Sequence, residues 1–122
     1  MLGSMRRIVC LGDSLTSGHG IGTAAAFPAL LHQRVRRAGF PYEVLNAGVA
    51  RDTSADARAR LDRAVGGDVR VLVVALGAND GLRGVPVAQL TSNLGQIIDV
   101  VQRRGITVLL CGMEALPIHG WA

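Results

Sequence analysis

The chain has 122 residues, 49% of them apolar, and a formal charge of +4. That length and apolar fraction suit one domain with a buried core and exclude an intrinsically disordered chain. No apolar run approaches the ~18 residues that cross a bilayer, and the basic residues, all arginine, are scattered among only 3% aromatics, so neither a membrane span nor a nucleic-acid surface is expected.

The start, Met1 to Arg7, carries two arginines but no long apolar stretch, because Gly12 and Asp13 interrupt early. No signal peptide is expected, and the chain reads as cytoplasmic or as a mature periplasmic or secreted form. Residues 1–122 read as a single domain, with residues 1–5 a start outside the fold. The densest basic cluster, Arg34-Val35-Arg36-Arg37, reads as a solvated helix face. Cys10 and Cys111 sit in apolar strand-like runs without metal-ligand spacing, so both are expected to be buried thiols in neither a disulfide nor a metal site.

Ile8 to Leu11 is the first predicted strand. It runs directly into Gly12-Asp13-Ser14-Leu15-Thr16-Ser17-Gly18, a tight loop that lifts the Ser14 hydroxyl to the carboxyl end of a sheet. Pro28 suits the first turn of a helix, whose apolar stripe is Leu31, Val35 and Ala38 and whose end is Gly39. Pro41 leads into a second strand, Tyr42 to Leu45. A second strand-end loop, Asn46 to Ser54, follows, with Thr53 or Ser54 capping a helix whose face is Ala57, Leu61, Ala64 and Val65.

Gly66-Gly67-Asp68 ends that helix. The continuous run Val71 to Leu76 predicts a strand covered on both faces, as in a parallel sheet. A third strand-end loop, Gly77 to Gly84, precedes a helix opened by Pro86, with Val87, Leu90, Leu94, Ile97 or Ile98, and Val101 on its buried side. Gly105 ends it, and Ile106 to Leu110 is the fourth strand. The order β-α-β-α-β-α-β predicts a three-layer α/β/α sandwich with a parallel sheet and right-handed crossovers.

In such a sheet the three loops share one edge, where open α/β folds bind ligands. They bring Ser14 and Asp13, Asp52 and Thr53, and Asn79 and Asp80 together. A serine attacks an ester once a base accepts its proton. The oxyanion that forms needs aimed donors, and the Ser14 N–H, a second-loop N–H and the Asn79 amide meet that need.

Gly12-Asp13-Ser14-Leu15 resembles the first block of the GDSL, or SGNH, hydrolases, and Gly77-Ala78-Asn79-Asp80 resembles their Gly-x-Asn-Asp block. Val49 to Ser54 falls where that family carries its glycine block. Phe27-Pro28-Ala29-Leu30-Leu31, Gly81-Leu82-Arg83-Gly84 and Met113-Glu114-Ala115-Leu116-Pro117 resemble the bacterial arylesterase and thioesterase I branch. The resemblance implies a flavodoxin-like sandwich and a carboxylester hydrolase acting on small aryl or short acyl esters, thioesters or lysophospholipids, with no cofactor and no metal. Ser14 is the implied nucleophile, with Asn79 and the Arg51 N–H as oxyanion donors. Leu116, Pro117, Asp13, His19 and Asp80 are implied on the substrate side.

Two departures from the family pattern stand out. Arg51 occupies the position of the oxyanion glycine, where a positive φ strains any other residue. The Asp-x-x-His block that supplies the family's base is not found, and the chain resembles roughly the first two thirds of a member. Among the histidines, His119 is a candidate base or a substrate contact, His19 a pocket wall or a base, and His32 a surface or edge residue; a second subunit or residues outside this sequence are the other sources expected for the base. Asp13 is expected to support its loop, and Asp52 and Asp80 to brace theirs by accepting backbone N–H bonds. The alternative to an esterase is a shortened, catalytically impaired member serving as a binding or structural module. In either case the fourth strand is expected to lie open at the sheet edge and to recruit a second copy into a homo-oligomer.

Overall fold

Four parallel strands alternate with helices through residues 5–112, the span that this computed structural model describes. In chain order these are β1 (Arg6–Gly12), α1 (Ser14–Ser17), a 3₁₀ turn (Thr23–Ala25), α2 (Phe27–Arg37), β2 (Tyr42–Gly48), α3 (Ser54–Ala59), α4 (Leu61–Ala64), β3 (Val69–Ala75), α5 (Ala78–Leu82), α6 (Val87–Arg103) and β4 (Thr107–Leu110). The sheet order is β2-β1-β3-β4. The register sets Gly12 beside both Gly48 and Ala75, so β1, β2 and β3 end level and their loops leave from one edge.

Alternation along the strands divides the core. Val9, Leu11, Leu72 and Val74 face α3, α4 and α6 and pack there with Ala57, Leu61, Val65, Ile97 and Val101. Each buried valine, leucine or isoleucine among them contributes roughly 1.5–3 kcal/mol of transfer free energy. Ile8 and Val71 point to the opposite face. With Val35, Phe40 and Tyr42 they line an apolar hollow of about 330 Å³. The architecture is the expected α/β/α sandwich, and no helix among the described residues is long and apolar enough to cross a membrane.

The helices depart from the sequence pattern in instructive places. α2 ends where expected: Gly39 (φ 84°) lets its own N–H reach Arg36 O at 3.0 Å and the Phe40 N–H reach Val35 O at 3.1 Å, the two bonds of a Schellman cap. Its stripe is only partly covered, with Leu31 and Val35 half-buried and Ala38 exposed. The single helix expected after the second loop is broken at Arg60, whose side chain turns back toward the strand ends. The first and third strand-end loops each contain a helical turn, α1 and α5, because the serine and asparagine blocks begin helices rather than open coil. In α6, Val87 is 53% exposed, while Asn93 is buried with Ile97 and Val101. A polar hydrogen bond, described below, claims the position that periodicity assigns to an apolar residue.

Both cysteines are free thiols, Cys10 buried and Cys111 half-buried rather than buried as expected. Burial, with the nearby Cys111 as the lesser cause, pushes the Cys10 thiol up from 9.0 to about 12. A thiol reagent near pH 8 is therefore expected to modify Cys111 well before Cys10 in the native protein, read by peptide mass mapping. The neutral Cys10 thiol favours the fold fully below pH 9.0, and that contribution is lost as pH rises toward about 12, because the unfolded state releases its proton first. The urea midpoint should fall across that window.

Candidate functional site

The serine loop is built by Asp13. Its Oδ1 accepts the Leu15 N–H at 3.0 Å, and its carbonyl accepts from the Thr16 and Ser17 N–H groups at 3.1 and 2.9 Å. These bonds satisfy the donors that open α1 and make Ser14 its first residue. Ser14 is half-buried, and its hydroxyl has no hydrogen-bond partner among the described residues. The turn is tight enough that a Cβ on Gly12 would lie 2.0 Å from Thr16 Oγ1. Beneath it, Asp13 Oδ2 and Thr16 Oγ1 are buried without partners among the described residues.

The second loop is pinned to the first. Val49 N–H donates to Gly12 O at 3.0 Å, and the Asn46 amide donates to Thr16 O at 2.9 Å. The Arg60 guanidinium donates to Asp52 Oδ2 at 2.7 Å, to Ala47 O at 2.8 Å and to Gly12 O at 3.1 Å. One side chain thus joins the ends of β1 and β2 to the loop that follows them. Among the described residues other than glycine, Arg51 alone has a positive φ, 71°. Its carbonyl accepts from Arg83 Nη2 at 2.8 Å. Thr53 and Asp56 then form a capping box for α3, and the hydrogen bonds from Thr53 hold the exposed Asp56 carboxyl below its usual range.

The third loop docks on the second through neighbouring side chains. Asn79 Nδ2 donates to Asp52 O at 3.0 Å. Asp80, fully buried, accepts the Ser54 N–H at 2.8 Å and the Ser54 hydroxyl at 2.6 Å. Ser54 Oγ in turn accepts from Asn93 Nδ2 at 3.0 Å. Ser14, Arg51 and Asn79 therefore belong to three loops that are hydrogen-bonded to one another at a single sheet edge.

The family model for GDSL-like lipases and acylhydrolases matches residues 10–121. The chain belongs to that family. It is 39% identical over 114 residues to the esterase TesA of Pseudomonas aeruginosa, covering 93% of this chain and 57% of that one. It is 33% identical over 115 residues to an arylesterase of Vibrio mimicus, covering 93% and 58%. The crystal structure of AlinE4, an SGNH-hydrolase family esterase, superposes with a TM-score of 0.85 at 37% identity, covering 96% of this chain and 64% of that one. The chain thus spans somewhat over half the length of the curated relatives it matches.

Within this GDSL-family fold the expected site residues take different places. Asp13 and Asp80, expected on the substrate side, are both buried and hydrogen-bonded to backbone N–H groups; they shape the loops, and neither carboxylate is presented to solvent. Asp52 braces its loop through the Arg60 guanidinium rather than through a backbone N–H. His19 is exposed just past α1, with its backbone N–H on Ser14 O at 3.2 Å. His32 Nδ1 accepts the Val44 N–H at 3.1 Å, which places it at the sheet edge as expected. His119, Leu116 and Pro117 lie outside the described residues.

Arg60, Ser54 as a relay and Asn93 were not singled out from sequence. Asn93 carried a signal, a polar residue beside the apolar stripe of α6. Arg60 carried none, because its acceptors include backbone carbonyls far away in sequence.

Arg51→Gly is expected to raise stability by about 1 kcal/mol, since a non-glycine residue in the left-handed region is strained by roughly that amount. The urea unfolding midpoint of the variant against the parent chain checks this.

Proposed function

We propose that the chain is a serine-dependent carboxylester hydrolase acting on small aryl or short acyl esters, with thioesters as related substrates. Ser14 Oγ attacks the acyl carbon and forms a tetrahedral intermediate. The oxyanion is held by the N–H groups of Ser14 and Arg51 and by Asn79 Nδ2. The base that takes the Ser14 proton returns it to the leaving alkoxide or aryloxide, and water then releases the acyl group from Ser14. His119 is the candidate base, with His19 as its rival. The observation that carries this reading is the Asn79 Nδ2 bond to Asp52 O at 3.0 Å. It uses one amide hydrogen to anchor Asn79 against the Arg51 loop and leaves the second for an oxyanion. The names of the relatives, an esterase and an arylesterase, support the same chemistry.

A second reading, a catalytically impaired binding module, is favoured by one observation: Arg51 holds a positive φ at the position of the family glycine. Hydrolysis of p-nitrophenyl acetate separates the two. The esterase reading expects turnover that Ser14→Ala lowers on the order of 10³-fold or more, with His119→Ala lowering kcat further than His19→Ala does. Turnover that Ser14→Ala leaves unchanged contradicts it.

We also propose that a second copy of the chain pairs with β4. Among the described residues β4 is paired on one side only, holds neither charge nor proline, and exposes Leu109 (58%) and Leu110 (49%) on its two faces. The opposite edge, β2, is blunted: His32 Nδ1 takes the Val44 N–H and Asn46 Oδ1 takes the Gly48 N–H at 2.9 Å. With one open edge among the described residues, antiparallel β4 pairing closes at a dimer. Sedimentation analysis should show a dimer that Leu109→Lys converts to a monomer; a parent chain that stays monomeric at high concentration contradicts this.

A further inference from the structure

The buried relay from α6 to the third loop has no part in the chemistry proposed above, yet both Asp80 oxygens and the Ser54 hydroxyl are hydrogen-bonded within it. Asp80 is fully buried, and both its oxygens are occupied by Ser54: Oδ1 by the backbone N–H at 2.8 Å and Oδ2 by the hydroxyl at 2.6 Å. Because the Ser54 hydrogen goes to the carboxylate, the Ser54 oxygen can only accept from its other side. Asn93 Nδ2 fills that role at 3.0 Å. The chain of donors therefore runs one way, from Asn93 to Ser54 to Asp80.

The elements joined are unequal. Ser54 opens α3, of 6 residues, and Asp80 lies in α5, of 5. Helices this short do not hold themselves in place. Asn93 sits in α6, of 17 residues, fixed to the core by Ile97 and Val101. Asn79 precedes Asp80, and the Asp52 carbonyl that anchors the Asn79 amide lies two residues before Ser54. Three short links thus tie the third loop to the second, through Asn79, Asp80 and Arg83, and only the one through Asp80 reaches a long helix packed on the core. Packing alone would place an aliphatic side chain at residue 93, on the buried side of an amphipathic helix. An amide there costs desolvation unless its donor is used.

The geometry points to Asn93 as a positioning residue: through Ser54 and Asp80 it fixes where the Asn79 amide stands relative to the Arg51 loop. This rests on the hydrolase reading for its kinetic consequence and on the hydrogen bonds alone for its structural one.

Asn93→Asp keeps the shape of the side chain but places acceptor oxygens where the Nδ2 donor stood, and Asn93→Leu fills the site without polarity. Ile97→Val serves as a control that loosens the same helix without touching the relay. Two readouts are needed, steady-state hydrolysis of p-nitrophenyl acetate and NMR hydrogen exchange at the Ser54 amide and the Asn79 side-chain amide.

The expected result is a fall in kcat of about tenfold or more with KM within about twofold, since displacement of a positioned group acts on the transition state. Exchange at Ser54 and Asn79 should quicken by a similar factor, and Ile97→Val should lower the thermal midpoint while leaving kcat unchanged. Folded Asn93 variants whose kcat stays within twofold of the parent overturn the assignment. If the parent chain shows no turnover, the hydrolase reading has failed, and exchange alone decides: faster exchange at both sites upholds the positioning role, and unchanged exchange overturns it.

Discussion

The Arg60 guanidinium is the contact on which the site depends. Where parallel strands end level, their last carbonyls lose their ladder partners and must find others. Gly12 O is shared between the Val49 N–H and Arg60, and Ala47 O also accepts from Arg60, which donates to Asp52 Oδ2 at 2.7 Å as well. The planar fork suits this task, because several N–H groups diverge from one rigid group; a lysine ammonium cannot reproduce that pattern from the same stem. With side chains only 24% and 12% exposed, the Arg60–Asp52 pair is shielded enough that losing either partner leaves the other poorly solvated. The helix break at Arg60 accompanies this reach, since continuous α3–α4 geometry ends there.

A second constraint works at right angles to the first. Arg60 draws β1, β2 and the second loop together, while Asn79 and the Asp80–Ser54–Asn93 relay draw the third loop onto the second. Between them the serine loop and the asparagine block are held to the same intermediate segment, Arg51 to Ser54. That segment includes the one strained non-glycine residue among those described, and Arg83 steadies it through the Arg51 carbonyl. Strain placed at a loop between two anchors is tolerated because the anchors over-determine it.

Much of this was legible in the chain itself. Apolar runs such as Val-Leu-Val-Val-Ala-Leu and the glycine-bounded helices mark the alternating strands and helices of a parallel sandwich, and Gly12-Asp13-Ser14-Leu15 marks its serine loop. The positive φ at Arg51 followed from a glycine position taken by another residue. What escaped was long-range polar pairing. Arg60 looks like any solvated arginine on an amphipathic helix, because its acceptors are carbonyls 48 and 13 positions away. Val87 looks buried by periodicity but is 53% exposed at the first position of α6. The loop-bracing roles of Asp13 and Asp80 are legible from their place in strand-end loops, but their complete burial, and for Asp80 the Ser54 partner 26 positions away, is not.

In the proposed hydrolase function Ser14 is the one hydroxyl activated by this three-loop arrangement. Intact-mass analysis after treatment with a p-nitrophenyl phosphonate, followed by peptide mapping, tests that directly. A single adduct placed on Ser14 itself by fragmentation of its peptide, absent from an unfolded control, is the predicted result. An adduct on Ser17, Ser54 or another residue instead, or no adduct on the folded chain, would contradict it.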